Sequence, residues 1–214
     1  MIEPHEAYDW ALRLAAVVHA GQTWKGTSLP YLTHVVRVAR HLEQAGASAS
    51  VVLAGLLHDT LEDLHDSPEL RTALREVDPA FDAAPGGEAL TAAVTTLIDE
   101  RVGFETRVLV EAVTSRSGGD GDDAERRRAR RQRQLDHLRV APDDVIWLKA
   151  ADTWANVTEM AREVDASGVA GARLQVPVEE LRWYYGEIVA IVCARLAPGD
   201  VLAVSLVGAF RAQV

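Results

Sequence analysis

Three short stretches of the chain place polar, chemistry-bearing side chains where apolar ones would be expected. The first is Gly55-Leu56-Leu57-His58-Asp59-Thr60-Leu61-Glu62-Asp63-Leu64. Its approach is strongly apolar (Val51, Val52, Leu53, Leu56, Leu57), so the helix it predicts, Ala49 to Leu64, must be largely buried. At about 100° per residue, His58, Asp59, Glu62 and Asp63 span an arc of roughly 140° on one face of that helix. Three carboxylates and an imidazole there are costly without a compensating cation. A divalent metal with its water supplies that compensation; the alternative is an amphipathic helix whose polar face meets solvent.

The second stretch, Val145 to Val157, is an apolar run interrupted by Lys149, Asp152 and Asn156. Asp152 and Asn156 are four apart and share a helix face, and Lys149 lies three residues before Asp152. Taken alone, this pattern also fits a locally hydrogen-bonded Asp beside an exposed Lys. The third stretch runs from His19 to His34. It closes one helix, crosses a loop containing Gly26 and Pro30, and opens the next helix with His34 in its first turn. A lone His at such a place reads as a cap or a core residue. Only partnership with the other two stretches makes it a candidate ligand.

The elements that carry these stretches are helices. Apolar residues at three- and four-residue spacing predict them at Glu6 to Ala20, Leu32 to Ala45, Ala49 to Leu64, Pro68 to Val77 and Glu88 to Glu100. Five more are predicted at Phe104 to Val113, Asp123 to Leu138, Pro142 to Val164, Val178 to Leu196 and Asp200 to Phe210. Breakers separate them at Gly26 to Pro30, Gly46, Asp66 to Pro68, Pro79 to Gly87, Ser117 to Gly121 and Pro198-Gly199. Extended alternation is nearly absent, and no linker divides the chain. The expectation is one all-α domain over residues 1–214, a bundle of about eight to ten helices. Its motif-bearing core would cover about 5–160, with C-terminal helices at about 173–212.

Composition narrows the function classes. With 214 residues of which 48 % are apolar, the chain can bury a real core. No apolar run reaches the roughly 18 to 20 residues of a membrane-spanning helix. The net charge of −10 argues against a general nucleic-acid binder, whose affinity comes from neutralising phosphates. It leaves room for a small phosphorylated ligand met by local cations. Only two of the 22 basic residues are Lys, and both, Lys25 and Lys149, fall inside the stretches above. Another local source of positive charge is the Arg-rich segment Arg126 to Arg133, whose alternative reading is a solvated basic face. The single cysteine, Cys193, cannot close an internal disulfide and reads as a small buried side chain. The N-terminal residues lack a basic-then-apolar export pattern, and a cytoplasmic protein is expected.

Taken in order, a first His, a His-Asp pair and a distant Asp resemble the HD-domain metal phosphohydrolases. From about residue 5 to about residue 196 the chain is similar to RelA/SpoT-type hydrolase domains, particularly the stand-alone small alarmone hydrolases. The segments that carry this likeness are HAGQTWKGTSLPYLTH, LAGLLHDTLED, EAVTSR near Thr114, and WLKAADTWANV, with a weaker echo in VPVEELRWYYGEIV.

The resemblance implies an HD-domain helical bundle in which His34, His58, Asp59 and Asp152 are metal ligands, usually of Mn²⁺. Imidazole and carboxylate donors also admit Fe, Co or Zn²⁺. It implies that Glu62 and Asp63 position and activate the attacking water. Lys25 would lie at the phosphate end of a nucleotide site lined by Tyr31 and Asn156, with Lys149 as a further cation for the substrate. The implied reaction is hydrolysis of the 3′-pyrophosphate of guanosine tetra- or pentaphosphate to GDP or GTP and pyrophosphate. Such a role involves a small-molecule nucleotide and neither nucleic acid nor membrane; it leaves the oligomeric state open.

Departures from the family pattern concern the substrate rather than the metal. Thr153 stands where Arg or Lys is common, and Ala155 stands where His or Tyr is usual. Trp24 occupies the place of a second basic residue, and Val35 that of a Pro. Two further readings therefore accompany the first. One is a phosphohydrolase of the same fold acting on another nucleotide or cofactor, such as an adenosine alarmone or NADPH. The other is a nucleotide-binding regulator that no longer turns over.

Overall fold

Each of the ten predicted helices is present, and apart from the end of the third their limits fall within three residues of the apolar pattern. The computed structural model describes residues 4–24, 27–83, 86–114, 124–167 and 176–212. Lys25 and the Gly- and Asp-rich stretch 115–123 lie outside the described residues. Ten α-helices are present among those described, and the only strand-type pairing is an isolated bridge between Thr23 and Pro30. The chain divides into two compact units, Met1–Thr114 and Ser115–Val214.

The first unit holds α1 (Pro4–Val18), α2 (Leu32–Gln44), α3 (Ala49–Leu57), α4 (Pro68–Val77), α5 (Glu88–Val102) and α6 (Phe104–Val113). A short 3-10 turn, Pro79–Ala83, follows α4. Helix α3 is the centre of this unit and packs against α1, α2 and α6. Six of its nine residues are buried, so it has no solvent face to speak of. Its contacts with α2 are close because position 55 is Gly. A Cβ there would stand 3.1 Å from Ala39 Cα and 2.7 Å from Leu42 Cδ1. Leu14, Val35, Val38, Leu42, Leu56 and Leu57 are fully buried in the resulting core.

Local chemistry sets several boundaries. Ser67 accepts the Leu70 amide at 3.1 Å and Pro68 fills the first helical position, which starts α4 where the sequence predicts. Gly103, at φ +99°, lets the chain leave α5 and enter α6 at once.

The structure differs from expectation at the end of α3. The helix predicted to run to Leu64 stops at Leu57, and residues 58–62 form turns. The His58 ring takes the Gly55 carbonyl through Nδ1 at 2.9 Å, in competition with the helical ladder. The Thr60 amide then reaches back only three residues, to the Leu57 carbonyl. The polar residues thus leave the helix instead of sharing one of its faces: His58 is buried, Asp59 and Asp63 are half-buried, and Glu62 is exposed.

The second unit holds α7 (Ala124–Val140), α8 (Asp143–Ser167), α9 (Val178–Arg195) and α10 (Val201–Arg211). Helix α8 packs against α9 and α10, and α7 packs against α9. Asp200 caps α10 by accepting the Leu202 and Ala203 amides. Cys193 is exposed rather than buried. Helix α9 turns Ile188, Ile191 and Val192 inward, and the residue after Val192 falls away from that stripe.

Candidate metal centre

The loop between α1 and α2 is what brings the first stretch to the His-Asp turn. It is closed by backbone bonds from Trp24 to the Leu29 carbonyl and from Tyr31 to the Gln22 carbonyl, both 2.9 Å. Inside it, Trp24 is buried and stacks on His34, with ring centroids 4.1 Å apart and planes at 22°. Tyr31 lies against the same imidazole at 5.3 Å. Two aromatic walls therefore fix the orientation of His34, which is itself 3 % exposed.

His34, His58 and Asp59 converge. Each offers a ligand atom, and these atoms lie within 4.8 Å of one another. The Asp59 Oδ2 atom stands 2.9 Å from His58 Nε2 and 3.8 Å from His34 Nε2. The same oxygen accepts the Tyr31 hydroxyl at 2.5 Å. Because His58 Nδ1 faces a carbonyl, it carries hydrogen, which leaves Nε2 to meet the carboxylate. A neutral Nε2 and a carboxylate oxygen at that distance are two acceptors facing each other. The arrangement calls for positive charge between them, a proton or a metal cation. Two imidazoles and a carboxylate are a donor set suited to Mn, Fe, Co or Zn, so the residues present fit such an ion.

The acidic pair that follows separates in environment. Glu62 is exposed, whereas Asp63 is half-buried, with its Oδ2 atom 3.4 Å from His19 Nδ1. His19 is buried, and its ring lies 4.8 Å from that of Tyr31. In the sequence, His19 opens the first motif, and no spacing there gives it a role.

In the second unit, α8 gathers three of the sequence candidates. Lys149 Nζ donates to Asp152 Oδ2 at 2.8 Å, and Asn156 Nδ2 donates to Asp152 Oδ1 at 2.5 Å and to the Asp152 carbonyl at 3.0 Å. Asp152 and Asn156 are buried. Burial alone would lower the Lys149 pKa, but the Asp152 charge, Tyr184, the Asp152 hydrogen bond and Tyr185 together raise it. Lys149 is an ammonium at any working pH. Thr153 is fully buried.

The Arg-rich helix α7 is not simply a solvated face. Arg127 is buried, and Arg127 and Arg131 both reach the Glu180 carboxylate of α9, at 3.3 Å and 2.6 Å. Arg128 lies over the Trp183 ring at 4.0 Å and Arg131 over Tyr184 at 5.2 Å. These three guanidinium groups hold α7 to α9.

A family model described as "HD domain" matches residues 11–176. The chain belongs to the HD-domain family. A solved structure of a metazoan SpoT ortholog, described as hydrolysing ppGpp with a role in starvation responses, superposes on this HD-domain chain with a TM-score of 0.66. It covers 100 % of this chain and 98 % of its own at 20 % identity, which shows a shared fold. A probable chloroplastic GTP diphosphokinase of Arabidopsis thaliana is 49 % identical over 49 residues, 23 % of this chain and 7 % of that protein. A GTP pyrophosphokinase of Streptomyces coelicolor is 31 % identical over 114 residues, 50 % of this chain and 13 % of that protein. The chain thus corresponds to a small part of these curated relatives. Among the described residues, no helix is long and apolar enough to cross a membrane.

Proposed function

We propose that this HD-domain chain is a metal-dependent phosphohydrolase that removes the 3′-pyrophosphate from guanosine tetra- or pentaphosphate. The observation that carries the reading is the convergence of His34, His58 and Asp59, with Asp59 Oδ2 set against both imidazoles. The fold shared with a protein described as hydrolysing ppGpp supports the substrate class. Bound there, a divalent cation, Mn²⁺ in this reading, supplies charge stabilisation to phosphoryl oxygens and acidifies water.

The chain's own residues do the rest. His58 is held in the Nδ1–H tautomer by the Gly55 carbonyl, and Tyr31 orients Asp59. Asp63 and Glu62 take up the proton of the attacking water. The water oxygen joins the phosphorus bonded to O3′, the O3′–P bond breaks, and O3′ leaves as the nucleoside hydroxyl by gaining the proton that the acidic pair received, while pyrophosphate carries the new P–OH. Asp152 completes the ligand set in this proposal, on the strength of its sequence motif and its burial beside Lys149 and Asn156. Lys25, Lys149, Tyr31 and Asn156 are proposed to contact the nucleotide. The family model runs across both units, which supports treating 1–214 as one hydrolase domain. The free thiol of Cys193 is in keeping with a cytoplasmic enzyme.

The full chain incubated with guanosine tetraphosphate and Mn²⁺ is expected to release pyrophosphate and GDP. Chelation or Asp59→Ala should abolish release, and Asp152→Ala should weaken Mn²⁺ binding. Absence of pyrophosphate, or release that survives both chelator and Asp59→Ala, overturns the reading. A second reading, another phosphorylated nucleotide, is favoured by two positions. Trp24 and Thr153 are buried where the family offers cations to phosphate. A nucleotide panel compared by kcat/KM separates the two.

A further inference from the structure

His19 is a buried imidazole that the proposed chemistry does not yet use. It follows α1, and its side chain has no exposed surface. A polar ring in such a place is retained at a cost unless its nitrogens are satisfied. Its Nδ1 atom faces two acceptors, Gln22 Oε1 at 3.0 Å and Asp63 Oδ2 at 3.4 Å. Both are acceptors, so the hydrogen sits on Nδ1; it bonds Gln22 Oε1, and the same N–H edge stands against the Asp63 carboxylate. Nε2 finds no hydrogen-bond partner among the described residues. A hydrogen on Nε2 would be buried unpaired, so the neutral Nδ1–H tautomer is the one this pocket accepts.

Two contacts then tie this ring to the metal centre. On its edge it meets Asp63, the half-buried member of the acidic pair. On its face it carries Tyr31, whose hydroxyl holds Asp59 Oδ2 at 2.5 Å. Asp63 is also linked to Asp59 through the backbone, its amide donating to the Asp59 carbonyl at 2.9 Å. Among the described residues, His19 is the side chain that meets the Asp63 carboxylate. An ordinary core residue at position 19 would fill space; this one sets the positive edge of an N–H beside a partly solvated acid.

We propose that His19 is a positioning residue for Asp63. Its Nδ1–H edge, anchored on Gln22 Oε1, lies against Asp63 Oδ2 and fixes the rotation of that carboxylate. The inference rests on the proposed function, in which Asp63 handles the water proton.

Side-chain geometry supplies the test. In His19→Asn the amide nitrogen replaces the donor at the Nδ1 place, whereas His19→Gln moves it to the Nε2 place. With full-length protein loaded with Mn²⁺, His19→Ala and His19→Gln are expected to lose about 10- to 100-fold in kcat with KM and Mn²⁺ affinity unchanged. His19→Asn recovers most of that loss. In an Asp63→Ala background, His19→Ala has no further effect. Equal activity of the Asn and Gln variants, or a His19→Ala loss that persists without Asp63, overturns the proposal. A readout independent of turnover is the ¹⁵N spectrum of the His19 ring. It should show the Nδ1–H tautomer in the wild type and a changed Nδ1 shift in Asp63→Ala; the Nε2–H tautomer overturns the proposal. If the wild type hydrolyses no nucleotide, the functional reading fails and the spectrum still decides the His19–Asp63 contact.

Discussion

Through one oxygen, Oδ2, Asp59 accepts the Tyr31 hydroxyl at 2.5 Å and faces His58 Nε2 at 2.9 Å. A carboxylate so engaged has lost its rotational freedom before any cation arrives, and a pre-oriented ligand binds more tightly than one that must be ordered. Removing only the hydroxyl, in Tyr31→Phe, keeps the ring that braces His19 and His34 and deletes the orienting bond. The expected result is Mn²⁺ affinity weaker by about 10-fold, read by isothermal titration, with thermal stability little changed. Unaltered affinity would show that Asp59 is held by other means. The residue types at the His-Asp turn are legible in the sequence because a buried apolar run has poor reason to contain His58 or Asp59. The role of His19 is not, since an imidazole at a helix end has many ordinary uses. Its meaning comes from Asp63, which lies 44 positions on and which only the fold brings within 3.4 Å.

Helix limits are legible in the sequence where the signal is local and hidden where a tertiary contact sets them. Helices α4 and α6 begin and end as predicted because Ser67-Pro68 and Gly103 are visible in the sequence. Helix α3 ends seven residues before its sequence pattern predicts because the contact that ends it, the His58 ring on the Gly55 carbonyl, is a side chain competing with the ladder. The same glycine sets the spacing between α2, which carries His34, and α3, whose end leads into His58. In Gly55→Ala, the new Cβ would stand 3.1 and 3.2 Å from Ala39 backbone atoms, which cannot rotate away. Helices α2 and α3 must then part slightly, at a cost of about 1–3 kcal/mol. The variant is expected to lose both melting temperature and Mn²⁺ affinity, because the separation moves one imidazole from the other. Gly186→Ala in α9 is the matched control. Its Cβ would meet the Phe210 ring at an ordinary 3.4 Å, so neither property should fall. If Gly55→Ala destabilises without touching affinity, the α2–α3 spacing does not set the site.

At the scale of the whole molecule, 32 acidic residues against 22 basic ones make its behaviour in acid informative. Composition shows the imbalance but not which carboxylates are tied down, since the partners lie far apart in sequence. Asp78 is the buried case. It receives Arg101 Nε at 2.6 Å, Trp10 Nε1 at 3.2 Å and the Ala80 amide at 3.0 Å. The Arg101 hydrogen bond is the main reason its pKa lies below the ordinary 3.8, against an opposing push from burial. Asp66, held by Arg71 and the Gly87 amide, is lowered to about 2. Because the unfolded chain binds these protons first, the stabilisation is complete above the unfolded value and is lost as pH falls through the lower folded values. The stability of the wild type, from urea unfolding, should therefore decline between about pH 5 and about pH 2. Asp78→Asn removes the charge but little volume. It should cost about 1.5–3 kcal/mol at neutral pH, and the gap to wild type should narrow as the acid limit is approached. A gap that stays constant across that range would mean that Asp78 contributes through shape and neutral hydrogen bonds, and that the Arg101 pairing adds nothing that depends on its charge.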